Sequence, residues 1–323
     1  MVKLNKNKLQ SFITLTILIG IAAFMTIASD KFLSPINLTN ILRQVSLTVI
    51  IAVAATFVMI SGGLDLSVGS VLAFSSVITA KLAAAGYPVF MAVLIGVLCG
   101  GGFGFLNGIL IVKTKIPPVI ATLGSMYIAR GLAFIVSSGV PIVNGIPSNY
   151  GFAIDLKFLG MSLMIWIMII AFIVFYIILN KTLLGKYTYA IGGNVTTALL
   201  SGININKVKI IIYTLTGLCA GISGVLMSSR LFSGDPNIGV GFEFDVIIAI
   251  FLGGVSVSGG EGKLGGTLVG ALIVAVLTNG MNLIGITSFY QYLVQGIVLV
   301  FAVVLDLTIK GKGLSLGTPK KTV

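Results

Sequence analysis

Three stretches of this chain, residues 158–180, 210–229 and 264–305, carry no charged side chain. As helices, the first two have the length of a single bilayer crossing, about 20 residues, and the third can cross twice around a turn near Gly285. The whole chain follows suit. Of its 323 residues, 57% are hydrophobic and 9% charged. That is more apolar surface than a soluble core of this length can hide. The expected fold class is all-α, a polytopic transmembrane helical bundle that forms one domain over residues 1–323.

Apolar segments between polar or Gly/Pro breaks predict about ten spans, near 12–29, 44–61, 67–85, 89–111, 118–137, 160–180, 208–228, 245–258, 264–283 and 289–306. The segment at 245–258 is short for a crossing. The N-terminal apolar run is too long for a signal peptide and reads as an uncleaved first span. From an inside N-terminus, ten crossings place both termini in the cytoplasm. They also gather fourteen lysines on one side: Lys3, Lys6, Lys8, Lys113, Lys115, Lys181, Lys186, Lys207, Lys209, Lys263, Lys310, Lys312, Lys320 and Lys321. Only Asp65, Glu261 and Asp306 share that side, as the positive-inside rule requires. The net charge of +12 therefore reports topology, and no nucleic-acid partner is implied. The outer face then holds the stretches 138–158 and 229–245, the latter with Asp235, Glu243 and Asp245.

There is no histidine, which removes the commonest general base and metal ligand. Cys99 and Cys219 lie in apolar segments and imply neither a disulfide framework nor a metal site.

A polar island, residues 181–209, has four lysines and no acid. Asn194 is a good N-cap, 195–201 can form two short helical turns, and Gly202 can end them. Such a short capped helix suits docking of a soluble partner.

Two broken segments stand out. GGLDLSVG (62–69) puts Asp65 between two apolar spans, where an acid costs about 2.5–3.5 kcal/mol at the span centre unless capped, paired or wet. Either Asp65 or Ser67 caps the next helix in a structural turn, or the segment belongs to a substrate path or gate. LGGVSVSGGEGKLGG (252–266) repeats the pattern, as an internal duplication would. Its Gly260, Gly262 and Gly265 fit G-x-G-x-x-G but follow a membrane span. Val257 and Leu264 also break any phosphate-binding loop, so the chain is not expected to bind nucleotide itself.

Asn107, Thr122, Ser125, Arg130, Thr278, Asn279 and Asn282 fall inside spans. They either bond neighbouring helices or form an amide and hydroxyl surface suited to a polyhydroxyl solute. The cluster Gly100, Gly101, Gly102, Gly104 and Gly108 reads as a helix-packing surface.

GGLDLSVGS (62–70), PPVIATLGSMYIARGLA (117–133), AIGGNVTTALLSGI (190–203) and FLGGVSVSGGEGKLGGTLVGA (251–271) resemble the permease subunits of bacterial ABC sugar importers, the ribose group above all. The resemblance covers about residues 35–307. It implies a multi-pass protein of the cytoplasmic membrane, paired as a permease dimer and most simply a homodimer. Its partners would be a cytoplasmic ABC ATPase subunit, which binds the ATP and Mg, and an extracytoplasmic sugar-binding protein. The matching island implies that Gly192, Gly193, Asn194, Ala198, Ser201 and Gly202 frame the ATPase-coupling helix. Where the family has an acid and alanines after the Asn, this chain has Val195, Thr196 and Thr197. Asp65, Ser67, Asn107, Ser125, Arg130, Asn279 and Asn282 are the candidates for the translocation path or gate.

The expected cargo is a monosaccharide, D-ribose first, with xylose, galactose or an autoinducer-2 type ligand as alternatives. An ion-coupled secondary transporter would need mid-membrane acids, for which Asp65 is the candidate. An intramembrane protease would need a metal-binding or Ser-His arrangement, which a chain without histidine does not have.

Overall fold

The structure, a computed structural model, describes residues 6–309. The lysines at 3, 310, 312, 320 and 321, and with them both chain ends, lie outside the described residues. The helices are α1 (Lys6–Ala28), α2 (Pro35–Ile60), α3 (Val68–Ala84), α4 (Val89–Thr114), α5 (Pro118–Ser137), α6 (Phe152–Asp155), α7 (Leu163–Lys181), α8 (Leu183–Gly193), α9 (Val195–Leu200), α10 (Ile205–Leu231), α11 (Phe242–Leu252), α12 (Leu264–Leu283) and α13 (Ser288–Ile309). Six of them, α2, α4, α5, α7, α10 and α12, are long and apolar enough to cross a membrane. Shorter apolar helices lie at Phe12–Ala28, Val68–Ala84 and Ser288–Val304.

Helix α2 is the axis of the bundle. Ser34 caps it by accepting from the Asn37 amide at 3.3 Å, and Pro35 follows at the first turn, where its missing N–H costs nothing. From Val45 to Ile60 every residue is buried, because α7, α10, α11 and α12 surround it. Phe57 meets Phe175 of α7 edge to face, with ring centroids 5.8 Å apart.

Helices α4 and α10 pack backbone to backbone. A Cβ on Gly100 would strike Gly217 and Gly221, one on Gly104 would strike Tyr213 and Gly217, and one on Gly108 would strike Ile210. The glycine cluster is thus a packing surface, as its spacing suggested; Gly102 alone in it faces open space. Without a hydrophobic force between helices in lipid, such close approach supplies the dispersion contact that holds them.

Several buried hydroxyls bond within their own helices, as in Thr56 to the Ala52 carbonyl at 2.7 Å and Thr216 to the Ile212 carbonyl at 2.9 Å. Between α5 and α7 a two-stranded hairpin, β1 (Lys157–Phe158) and β2 (Met161–Ser162), turns through Leu159 and Gly160, both at positive φ. Trp166 of α7 donates to the Phe158 carbonyl at 2.9 Å and meets the Phe158 ring edge to face.

Two expectations change here. The segment 245–258 is a helix of 11 residues, α11, that stops at Gly253 and Gly254. The stretch 229–245 does not stay at one end of the bundle. Gly234 lies against Val77 and Ala80 of α3, whereas Gly239 lies against Gly69 and Leu72. Between them the chain runs back along α3 by about two turns, roughly 10 Å. Helix α11 is short because this descending segment covers the rest of the distance.

Candidate functional site

Four of the polar residues singled out in the sequence form one chain of hydrogen bonds. Asp65 Oδ1 accepts from the Ser67 amide at 2.9 Å and from its hydroxyl at 2.6 Å. Ser67 Oγ accepts from Asn107 Nδ2 at 2.9 Å, and Asn107 Oδ1 accepts from the Ser125 hydroxyl. All four are buried, Asn107 completely. The relay ties the 62–69 break to α4 and α5. Asn107 and Ser125 sit seven residues from Thr114 and Pro118, the nearer helix ends, so the relay lies about 10 Å inside the bundle. Asp65 thus closes a turn on Ser67, and neither residue's side chain caps α3.

The glycines of this break have separate jobs. Gly62, at φ +77, ends α2 in a left-handed turn with open space around it. Gly63 needs no such angle. A side chain there would meet the Tyr213 hydroxyl, which donates to the Leu64 carbonyl at 3.3 Å.

The second broken segment has the same build. Gly62 and Gly63 donate back to Met59 and Val58, and Gly254 and Val255 donate back to Phe251 and Ile250. Asp65 accepts from the Ser67 amide, and Ser256 Oγ from the Ser258 amide at 3.3 Å. The side-chain turn comes one residue earlier in the second copy. A recess of about 240 Å³ lies between the breaks, lined by Gly62, Gly63, Leu64, Ser256 and Val257 with Pro118 and Val119 of α5. The glycine motif at 260–265 lines a larger cavity of about 790 Å³ beside Tyr176, Tyr189 and Lys263.

Both breaks converge on the island. The Gly260 amide donates to the Ile60 carbonyl at 2.8 Å, and a Cβ on Gly192 would collide with that same carbonyl oxygen. Tyr189 of α8 donates to the Gly262 carbonyl at 2.7 Å, and burial pushes its phenol up. The island forms as its residues demand. Asn194 Oδ1 accepts from the Thr197 amide at 2.9 Å, α9 follows, and Gly202 at φ +79 ends it. Gly193 faces open space, and Ser201 is exposed. Ala198 is different: it is 3% exposed and packs beneath α9. The outward face is made by Val195, Thr196, Thr197, Leu199 and Leu200, with Leu200 83% exposed.

Arg130, Asn279 and Asn282 do not join the relay. Arg130 donates to the carbonyls of Pro236 and Ile238 in the segment that descends along α3. Asn279 of α12 and Asn37 of α2 exchange two amide bonds, both 2.9 Å. Asn282 accepts from Gln291 of α13 at 2.7 Å. Asn37, Tyr213 and Gln291 were not singled out from the sequence, and Glu243 was named only as an acid of the outer stretch. Asn37 had a legible signal, an amide at the edge of an apolar run. Glu243 had none, because its stretch reads as a surface loop.

The model of one protein family, described as branched-chain amino acid transport system / permease component, matches residues 37–303. The chain belongs to this permease family. Its relatives are named for sugars. It is 44% identical to the ribose import permease protein RbsC of Bacillus subtilis, over 93% of this chain and 92% of that one. It is 40% identical to the protein of the same name in Escherichia coli K12, over 92% of each. To the L-arabinose ABC transporter permease protein AraH of Azospirillum brasilense it is 41% identical, over 88% of this chain and 84% of the other. No solved structure matches it. Family membership and the long apolar helices make the chain a multi-pass integral membrane protein, and its relatives are permease subunits of ABC importers.

Proposed function

We propose that this chain is the membrane-spanning subunit of an ATP-driven importer for a monosaccharide, D-ribose first. The carrying observation is the 44% identity to a ribose import permease over nearly the full length of both chains. In this reading the chain crosses the cytoplasmic membrane about ten times, with both ends inside, and works as a pair of permease copies. A cytoplasmic ABC ATPase subunit binds ATP and Mg. An extracytoplasmic binding protein delivers the sugar.

The geometry supports a specific division of labour. Helix α9 presents an apolar surface, Val195, Leu199 and Leu200, to the ATPase. Movement of the island reaches the translocation path through Gly192, Ile60 and Gly260, where α8 and both broken segments touch. The path itself follows the breaks, where backbone and side-chain polar groups replace the water around sugar hydroxyls. The relay of Asp65, Ser67, Asn107 and Ser125 holds the first break in shape, and the Asn279 and Asn282 amides join helices at the other end of α12.

The test is uptake of labelled D-ribose into vesicles carrying the permease, its ATPase and its binding protein. ATP-dependent uptake that excess unlabelled ribose abolishes, and L-arabinose or D-xylose does not, supports the reading. A preference for another sugar would move the cargo to that sugar.

A further inference from the structure

We propose that Glu243, at the first turn of α11, is a sugar-contacting residue in the middle of the translocation path, where its carboxylate accepts a hydrogen bond from a hydroxyl of the passing monosaccharide. This deepens the importer reading above and rests on it.

Three observations place it there. First, Glu243 is 8% exposed and its Oε2 has no hydrogen-bond partner. A buried acceptor with unused lone pairs is costly, and an ionisable residue held within a membrane bundle marks a site by default. Second, the carboxylate lies where two interrupted elements meet. A Cβ on Gly69 would collide with Glu243 Oε2 and with the Gly239 carbonyl, so glycine is the residue that leaves room for both. Gly69 is two residues from Ser67 of the relay and sits in the first turn of α3, whereas Gly239 lies in the descending segment just before α11 begins at Phe242. Discontinuous helices meeting at mid-depth are the places where transporters build substrate sites. Third, the nearby cation is otherwise engaged. Arg130 acts on Glu243 electrostatically, but its guanidinium donates to Pro236 and Ile238 and holds the descending segment down.

The carboxylate is also held by the backbone amides of Glu243 and Gly241 at the start of α11, and it lies over the first turn of α3, where the helix dipole favours a negative charge. The dipole does not use Oε2. A sugar hydroxyl does, once the 234–241 segment lifts from α3 and frees the space over Gly69. The Arg130 bonds to Pro236 and Ile238 are the latch that such lifting breaks.

The test uses the complete importer in vesicles, with Glu243→Gln as the variant that keeps shape and Glu243→Ala as the one that removes the acceptor. Uptake of D-ribose and of its single-deoxy analogues is measured for the parent and each variant with one binding protein, so that protein's own preference cancels in the parent-to-variant ratio. We expect ribose uptake to fall about tenfold in Glu243→Gln and further in Glu243→Ala, the scale of a lost charge-assisted bond. Binding-protein-stimulated ATP hydrolysis should stay within about twofold, as for a contact made by cargo alone. For one deoxy analogue, the one lacking the donating hydroxyl, the ratio should return to about one. An equal loss for every analogue, or a variant matching the parent throughout, overturns the site while leaving the importer reading intact. A parent complex that takes up no monosaccharide overturns both.

Discussion

The Gly260 amide and the Ile60 carbonyl are joined by a 2.8 Å hydrogen bond, and Gly192 lies against both of the bonded atoms. Three glycine-rich segments far apart in sequence therefore share one backbone atom. A stiff junction of this kind passes a displacement of α8 on to both breaks, because backbone in van der Waals contact has no side chain to yield.

The junction makes a sharp contrast between adjacent residues. Gly192→Ala should lower stability by about 1–3 kcal/mol, since its Cβ meets the Ile60 carbonyl. Gly193→Ala, in open space, should stay within about 0.5 kcal/mol of the parent. Thermal unfolding of the purified protein in detergent reads both. Equal midpoints for the two variants would remove the junction.

On α9, Leu199→Asp and Leu200→Asp should leave insertion and thermal unfolding unchanged and abolish ATPase co-purification. Ala198→Asp should instead reduce the amount of folded protein, because a charge there is buried without a partner. If Leu200→Asp retains the ATPase, α9 does not carry the docking surface.

The relay should behave as a unit. Asn107→Leu strands the Ser125 hydroxyl and takes a donor from Ser67, whose hydroxyl stays on Asp65, so its cost should exceed that of Ser125→Ala, at about 1–3 kcal/mol per unpaired group. The double variant should cost less than the sum by at least about 0.5 kcal/mol. Strict additivity in unfolding free energies would mean that the bonds are independent.

Asp65→Asn keeps an acceptor for the Ser67 amide and loses the charge, so uptake per inserted permease should fall modestly. Asp65→Leu removes the acceptor and should be several-fold worse. Parental uptake by the leucine variant would make Asp65 an incidental turn residue.

Topology has its own check. In a background free of Cys99 and Cys219, a cysteine at the exposed Lys186 position should react only from the cytoplasm. One at the exposed Asn149 position should react only from outside. Reaction of position 186 from outside would reverse the orientation.

Helices were legible wherever local chemistry decides them. Apolar runs placed α4, α5, α7 and α12 within a few residues, whereas α2 begins at Pro35, well before the expected 44; the Asn194 cap and Gly202 turn placed α9 closely. The relay was legible as a set of residues, because hydroxyls and amides in apolar spans must find partners, but which partner each takes depends on helix rotation. Arg130 shows that limit: its carbonyl acceptors lie more than a hundred residues away. The descent of 234–241 was hidden altogether. The acids of the 229–245 stretch read as surface residues, and the missing side chains of Gly234 and Gly239 let the segment lie against α3. Ala198, expected to frame the coupling helix, lies on the underside of α9, where its small size suits it, a placement that depends on how α9 is rotated.

Trp166 is the chain's one tryptophan, and the Phe158 carbonyl holds its indole N–H in the hairpin that precedes α7. The protein therefore carries its own optical reporter at a single known place. Its emission reads the environment of that hairpin without any attached dye, against a background of tyrosines that absorb at shorter wavelength. Titrating the binding protein onto the permease and following that emission would time the arrival of the sugar's carrier separately from any event at the ATPase.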